Sequence, residues 1–322
     1  MKIVKVSERN EKTLNKNRQY TNSFGSGSTK IGSLGVVTIN LPRIAYKHSD
    51  NEEAFFEELK LLVEDTARIN NAKRNIIQKR IDNGNLPLYS LGFIDIKKQY
   101  STTGICGLNE AVEIMGYNIL DDKGQDFVLK IMKVINATNE KSERQLSAPH
   151  NTEQIPAEST AVKLASKDRL LKYQTPEHEY ELYSNQFIPL TTKADLLDRI
   201  EIQGKFDKHF SGGAICHLNV DTQITDKEKM KQLIKTAARK NVVYFAINYN
   251  IQMCEDGHMS VGKKETCNCG KMITDNFTRV VGFLVNTKSF NAKRREIDYP
   301  NRQFYSDTCT EKSYYSYSNA AE

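Results

Sequence analysis

Several features of common protein classes are missing from this sequence. It contains no tryptophan, and glycine and proline supply only 17 and 7 of its 322 residues, which excludes a collagen-like or low-complexity chain. No stretch approaches the roughly 18 consecutive apolar residues of a membrane-spanning helix, and the N-terminus lacks the apolar segment of a signal peptide. We therefore expect a globular, cytoplasmic protein with no membrane partner.

Cysteine is also absent from the first part of the chain, because none precedes Cys106. Three of the 6 cysteines, Cys254, Cys267 and Cys269, lie close together in the sequence. Clustered cysteines in a chain without a signal peptide indicate a metal site in a reducing compartment rather than a disulfide framework.

The chain lacks a strong charge of either sign. Its 46 Lys and Arg residues against 40 Asp and Glu residues leave a net charge of +6, which suits an anionic small molecule as well as a nucleic acid. A zinc-dependent nucleic-acid-binding module is the weakest hypothesis, since the stacking aromatic pattern of such modules is missing. We expect no nucleic-acid partner.

Hydrophobic patterning predicts an α/β fold over residues 34–250. Residues 1–33 are polar, with a Gly/Ser run, and are interpreted as a leader or linker. Residues 34–41 form a short apolar run that predicts a strand buried on both faces and stopped by Pro42. A capping box from Ser49 to Glu52 then predicts a long amphipathic helix that ends near Gly84.

The clearest topological pattern is a strand–helix–strand unit. Residues 213–219 and 242–248 are predicted strands, and Thr225 and Glu228 begin the helix between them. Such a unit implies parallel strands. Two further helices are predicted at about 107–116 and 124–138.

Residues 251–275 are predicted to form zinc-binding knuckles. Cys254, His258, Cys267 and Cys269 offer thiolate sulfur and imidazole nitrogen, which zinc binds tetrahedrally, and such a site can stabilise a segment too short for its own core. The Cys-x-Cys pair is one residue shorter than the usual knuckle. The alternative is that these are incidental reduced thiols and a surface histidine.

Residues 278–285 have the composition of a buried strand interrupted by Gly282. A glycine in a strand usually marks a bulge or a close backbone approach. Because glycine has no Cβ, the loss of one α-hydrogen can also leave a planar radical between two conjugating peptide groups. The local sequence leaves both interpretations open.

Four separated segments carry a more specific likeness: LGVVTINLPRI at 34–44, NTEQIPAES at 151–159, RVVGF at 279–283 and DYPNRQFY at 298–305. In this order, with the cysteine cluster before RVVGF, they resemble the anaerobic, class III ribonucleoside-triphosphate reductases, which are glycyl radical enzymes. The likeness runs from about residue 24 to residue 305.

The resemblance implies a fold and a chemistry. It implies part of a ten-stranded α/β barrel, a glycyl radical loop at 276–305 with the radical on Gly282, and a flexible tail at 306–322. In the family a separate radical S-adenosylmethionine activase with an iron–sulfur cluster takes the glycine hydrogen. The glycyl radical then oxidises a cysteine to a thiyl, which takes the 3′ hydrogen of the ribose, and the 2′ hydroxyl leaves as water.

The resemblance also implies a substrate-phosphate site at the start of a helix, where free N–H groups can receive an anion. Its residues would be Pro156, Ala157, Glu158, Ser159 and Thr160, with hydroxyls from the last two. A helix start capped by local side chains is the alternative. The run Lys293–Arg295 is interpreted as a solvated face that could dock a partner.

The sequence departs from the family in one important respect, because the expected thiyl cysteine is missing. Cys106 and Cys216 were considered as substitutes, and buried roles are favoured for both. We therefore expect the C-terminal part of a divided reductase, which joins an N-terminal reductase half, assembles as a homo-oligomer and reduces ribonucleoside triphosphates. The alternative is a radical-domain accessory protein or an inactive remnant.

Overall fold

The first part of the described chain is built from parallel strands joined by helices. The computed structural model describes residues 30–280 and 283–306, so most of the predicted leader and tail lie outside the described residues. The elements here are β1 (Gly32–Asn40), α1 (Leu41–Lys47), α2 (Glu52–Asp82), α3 (Pro87–Ser90), β2 (Gln99–Cys106), α4 (Leu108–Ile114), α5 (Asp122–Leu146), β3 (His150–Gln154) and α6 (Glu158–Leu170). Strands β1, β2 and β3 pair in parallel, in that order.

The main core lies where α2 and α5 pack together beside this sheet. Apolar residues recur at helical spacing along both helices, so each buries one face. The rings of Phe55 on α2 and Phe127 on α5 are 5.3 Å apart, and both side chains are fully buried. Burial of such large aromatic side chains dominates the energetics of a core.

The predicted strand–helix–strand unit is confirmed. It follows α7 (Leu196–Asp207) and consists of β4 (Cys216–Val220), α8 (Lys227–Arg239) and β5 (Phe245–Tyr249), with β4 and β5 parallel. A parallel bridge between Glu153 and Gly213 connects β3 to the residues just before β4. The described residues therefore contain five parallel strands in the order in which they occur along the chain.

Two predicted helix starts are wrong by one or two residues. Asn51, not Ser49, caps α2, and its side chain accepts a hydrogen bond from Ala54 N. Asp226, not Thr225, caps α8. In each case the residue directly before the first helical turn has the extended backbone and the side-chain oxygen that an N-cap needs.

The first strand also differs from its prediction. β1 begins at Gly32, ahead of Leu34, and it is not buried on both faces, because Val36 is 43% exposed. Pro42 does not simply stop the chain but lies in the first turn of the unpredicted helix α1, where a missing N–H costs nothing.

The last part of the described chain is an antiparallel sheet. Its strands are β6 (Ile251–Cys254), β7 (Met259–Val261), β8 (Ile273–Val280) and β9 (Phe283–Asn286), in the order β7-β6-β8-β9. A single buried strand over 278–285 is not what forms, since β8 and β9 pair antiparallel and Phe283 is 75% exposed. Within the described ranges, no helix combines the length and apolarity needed to cross a membrane.

Candidate functional site

The four predicted metal ligands come together between β6 and β8. Cys254 ends β6, His258 follows in the turn before β7, and Cys267 and Cys269 lie in a second turn before β8. One ligand atom from each residue lies within 4.8 Å of the other three. The four residues are called the Cys/His cluster below.

Backbone hydrogen bonds shape both turns of the Cys/His cluster. In the first turn Gly257 N donates to Cys254 O over 2.9 Å, and in the second turn Gly270 N donates to Cys267 O over 2.9 Å. Each glycine has a positive φ, of 79° and 83°, a conformation that costs glycine little. The two turns therefore present their cysteines towards a common point.

The geometry of the Cys/His cluster fits zinc. The Sγ atoms of Cys254 and Cys269 are 3.8 Å apart, and tetrahedral zinc with bonds of about 2.3 Å to sulfur needs sulfur atoms about 3.8 Å apart. The backbone N–H of Cys269 lowers the pKa of the Cys267 thiol, whereas the neighbouring Cys267 and Cys254 thiols raise the pKa of Cys269, as expected of sulfur atoms brought together without a cation between them.

The predicted phosphate-binding residues form a tight turn into α6. Ala157 adopts a left-handed conformation, with φ of 52°, which costs a non-glycine residue on the order of 1 kcal/mol. Asn185 Nδ2 donates to Pro156 O over 2.5 Å on one side of Ala157, and Arg294 Nε donates to Glu158 O over 3.1 Å on the other. The surrounding structure therefore holds this turn, called the 156–160 turn, in a strained shape.

The 156–160 turn leaves its polar groups available. Ser159 and Thr160 are exposed, and the first N–H groups of an α-helix have no acceptor within it. Burial raises the pKa of Glu158, although Arg294 and Arg302 oppose the increase. The turn thus combines free N–H donors with two exposed hydroxyls, a suitable set for an anion.

A buried ion cluster lies behind the turn and was not predicted. Asp298 pairs with Arg294 over 2.7 Å and with Arg302 over 2.6 Å. Although burial raises the pKa of Asp298, the two guanidinium groups outweigh it and hold the pKa below its ordinary value. Arg294 is only 2% exposed, so the prediction of a solvated face over Lys293–Arg295 is wrong at its central residue.

A cavity of about 400 Å³ opens beside this ion cluster. Asn185, Arg294, Asp298 and Glu110 are among its lining residues. Burial raises the pKa of Glu110 to about 7. The cavity falls within the size range of small-molecule sites and adjoins the side chains that hold the 156–160 turn.

Sequence reasoning also missed the polar residues of β3. Thr152 hydrogen bonds to Asn136 and Asn139 of α5, so Asn151 and Glu153 point to the opposite face of the sheet. Asn151 is 1% exposed, yet its side-chain nitrogen and oxygen have no partner, and burial raises the pKa of Glu153 to about 7. Buried polar atoms without partners are uncommon and favour a ligand site.

The strand before Gly282, β8, attaches to the carboxyl ends of the parallel strands. Asn248 on β5 donates to Thr278 Oγ1 over 2.9 Å, and its Oδ1 accepts from Arg279 N over 2.8 Å. Asn248 also donates to Asn219 Oδ1 on β4 over 2.7 Å. Gly282 itself lies outside the described residues.

The two buried cysteines have inert surroundings. Burial raises the pKa of both the Cys106 and the Cys216 thiol far above the ordinary value. Because a thiol in an apolar environment resists ionisation and reaction, the structure agrees with buried roles for both.

Comparison with known proteins identifies the family. The family model described as "Anaerobic ribonucleoside-triphosphate reductase" matches residues 5–305. The chain belongs to this reductase family. The match begins earlier than the resemblance from about residue 24 that the motifs predict, so residues 5–23 also belong to the family's sequence pattern.

Solved reductase structures agree with this assignment. One named "Anaerobic ribonucleotide reductase" is 40% identical, with a TM-score of 0.80, and the match covers 86% of this chain and 46% of that chain. The Thermotoga maritima anaerobic ribonucleotide reductase with glycerol in the active site is 38% identical, with a TM-score of 0.78 and coverage of 89% and 48%. The same protein in complex with dATP and CTP is 39% identical, with a TM-score of 0.76 and coverage of 86% and 46%.

This chain therefore spans about half the length of the solved reductases that it matches. No curated protein sequence matched it.

Proposed function

We propose that the chain is the C-terminal part of an anaerobic ribonucleoside-triphosphate reductase and that Gly282 carries its glycyl radical. One observation carries most of the weight: β8, the strand that leads to Gly282, is attached through Asn248 to the carboxyl ends of β4 and β5. In α/β sheets ligands bind at this edge. The hairpin is thus fastened where the substrate would be held.

The parallel strands support a half-barrel. Five of them follow one another in chain order among the described residues, which is half of the ten strands in the barrel that the resemblance implies. The other half-barrel would come from an N-terminal reductase half, and the assembled enzyme would be a homo-oligomer. β1, with Val36 43% exposed, is the edge of its sheet.

The substrate would bind through its phosphates at the 156–160 turn. The first N–H groups of α6 and the hydroxyls of Ser159 and Thr160 would hold the phosphate oxygens. Asn151 and Glu153, on the sheet face away from α5, would lie towards the sugar end of the nucleotide. The buried amide of Asn151 would find in the substrate the partners that the described chain does not provide.

The Cys/His cluster would hold a zinc ion, which would supply structural cross-linking rather than reaction chemistry. With three sulfur ligands and one nitrogen ligand, the site is closed. Its role would be to hold the two turns in front of β8, and through β8 to fix the base of the hairpin that carries Gly282.

Two partners complete the proposal. A radical S-adenosylmethionine activase with an iron–sulfur cluster would remove one hydrogen atom from Gly282 Cα. The thiyl cysteine would lie on the N-terminal half, because Cys106 and Cys216 are buried thiols with raised pKa values.

A turnover assay tests the proposal. The chain, an N-terminal reductase half, a reduced activase, S-adenosylmethionine and a ribonucleoside triphosphate are mixed without oxygen, with formate or a thioredoxin-like protein supplied as the two-electron reductant, and deoxyribonucleotide formation is measured. We expect product only with all components present. No product from a fully activated mixture would contradict the proposal and support an inactive remnant.

A substitution in the turn tests the phosphate assignment. Ser159→Ala removes one hydroxyl from the proposed phosphate site, so we expect the KM for the ribonucleoside triphosphate to rise about 3- to 10-fold, as for one lost hydrogen bond, without loss of the Gly282 radical. The exposed Ser289, on the chain beyond β9, provides a matched Ser→Ala control. An unchanged KM would contradict the assignment.

A further inference from the structure

Arg294 is the buried side chain that contacts the 156–160 turn from the far end of the chain. Its Nε donates to Glu158 O over 3.1 Å and lies 3.2 Å from Glu158 Oε2. Its Nη1 pairs with Asp298 over 2.7 Å. One guanidinium group therefore joins the first turn of α6 to a segment that lies 136 residues further along the chain.

The contact with Glu158 O has a specific consequence for the turn. The peptide group that contains Glu158 O also contains the N–H of Ser159, so a hydrogen bond that fixes one fixes the direction of the other. Ala157, directly before it, is held in the left-handed region. As the first residue of α6, Glu158 also receives the intrahelical bond from residue 162 at its carbonyl, so Arg294 adds a second, charge-assisted donor there. Loss of this donor removes one of the contacts that hold the strained first turn in place.

Arg294 is also built to hold a fixed position. Asp298 holds the guanidinium group in place and is itself held by Arg302 over 2.6 Å. Arg294 Nη2 is buried and has no partner, although the side chain lines the cavity beside the turn. The side chain therefore lies between the turn and the cavity, with one donor left over after its contacts with Glu158 and Asp298.

We propose that Arg294 is a positioning residue for nucleotide binding: it orients the peptide group between Glu158 and Ser159 so that the N–H groups of α6 face the substrate phosphates. The proposal rests on the phosphate site of the proposed function and deepens it. It also connects that site to the segment that follows Gly282 and β9.

The chain offers a matched control in the same ion cluster. Arg302 shares Asp298 with Arg294, is similarly buried at 7% exposed, and donates its two side-chain hydrogen bonds to Asp298 rather than to α6. Arg302→Met therefore removes a guanidinium group from Asp298 but leaves the donor at Glu158 O. Arg294→Met removes the guanidinium group from Asp298 and also the donor to Glu158 O. Arg294→Lys keeps a cation for Asp298, but a single ammonium group cannot reach Asp298 and Glu158 at once.

The test is a calorimetric titration of the full chain with CTP, carried out for the wild type and each variant. Thermal unfolding is recorded for each variant as well. We expect Arg294→Met and Arg294→Lys to weaken CTP binding about 10-fold, a typical loss for misdirected charge-assisted contacts, and Arg302→Met to change it less than about 2-fold. Both Met variants should lower the unfolding temperature, and Arg294→Lys should lower it less.

The outcomes separate this inference from the proposed function. Equal CTP affinity in the wild-type and Arg294→Lys chains, or equal weakening by Arg294→Met and Arg302→Met, would overturn the positioning role alone. A wild-type chain that does not bind CTP would contradict the phosphate site itself, and with it this inference.

Discussion

At the scale of single residues, buried polar groups mark the site more clearly than any motif does. Asn151 and Glu153 occupy a sheet face where a globular protein would normally place apolar side chains. The amide of Asn151 lacks partners, and the carboxyl of Glu153 has its pKa raised to about 7 by burial. Both features lower the stability of the isolated chain, and both would be offset by a bound polar ligand.

Glu153 makes the stability of the chain depend on pH. Its pKa is raised from 4.5 to about 7, so the folded state favours the protonated carboxyl. Its contribution is fully favourable below about pH 4.5 and is lost as the pH rises through 7. In Glu153→Gln this loss disappears, and we expect the variant to be more stable than the wild type at pH 8 by about 1–3 kcal/mol, with little difference at pH 4.5.

Denaturant unfolding at the two pH values measures this effect. Glu296→Gln, which alters an exposed carboxyl, is the control and should leave the pH dependence unchanged. If Glu153→Gln and the wild type lose the same stability between pH 4.5 and pH 8, burial of this carboxyl is not the cause.

Individual site residues were predictable to different degrees. Cys254, Cys267 and Cys269 could be predicted as a group because cysteines close in sequence are forced to be close in space. Arg294 could not, since its partner Glu158 lies 136 residues earlier in the chain, on a segment whose approach depends on the whole fold. The charge of the run Lys293–Arg295 predicts that its side chains are exposed. Arg294 is buried instead, because it forms ion pairs with Glu158 and Asp298.

At the scale of elements, local signals place helices well and their first residues less well. The strand–helix–strand unit was predictable because apolar runs and a helical stripe alternate there. The start of α8 was misplaced because Thr225 and Asp226 are both good capping residues, and only the backbone decides between them. The helix α1 was missed because Pro42 resembles a stop as much as a first-turn residue.

Substitution distinguishes the two candidate caps of α8. Asp226 Oδ1 accepts from Glu228 N over 2.8 Å and from Lys229 N over 3.4 Å. Asp226→Ala should therefore lower the free energy of unfolding by about 1 kcal/mol, as measured by denaturant unfolding. Thr225→Ala is the control, with an expected change within about 0.5 kcal/mol. A larger loss for Thr225→Ala would assign the cap to the other residue.

The two turns of the Cys/His cluster are too short to hold themselves together, so the antiparallel sheet should depend on its metal. We expect the purified chain to contain about one zinc per molecule and Cys254→Ala to contain little, because loss of one ligand opens a closed site. Removal of zinc by a chelator should lower the unfolding temperature. Metal analysis measures the zinc content, and thermal unfolding measures the effect of the chelator. His178→Ala, which alters a histidine outside the Cys/His cluster, is the control. A Cys254→Ala chain that keeps its zinc would refute the ligand set.

At the scale of the whole molecule, the chain matches about half the length of the solved reductases. The structural match covers most of this chain but less than half of each solved reductase reported above. The described residues contain five parallel strands, the 156–160 turn and the paired strands β8 and β9, and the two cysteines Cys106 and Cys216 are buried thiols. The parallel α/β character could be predicted from patterning, whereas the ten-stranded barrel was expected from the resemblance alone and stays a prediction.

The most direct measurement is an anaerobic electron paramagnetic resonance spectrum of the chain after incubation with activase and S-adenosylmethionine, with Gly282→Ala as the control. The account predicts a glycine-centred doublet in the wild type and none in Gly282→Ala. It also predicts that oxygen then cuts the chain at residue 282, with loss of the last 322 − 282 = 40 residues. No doublet from the wild type, with an activase shown to work on another glycyl radical enzyme, would contradict the central claim that Gly282 carries the radical.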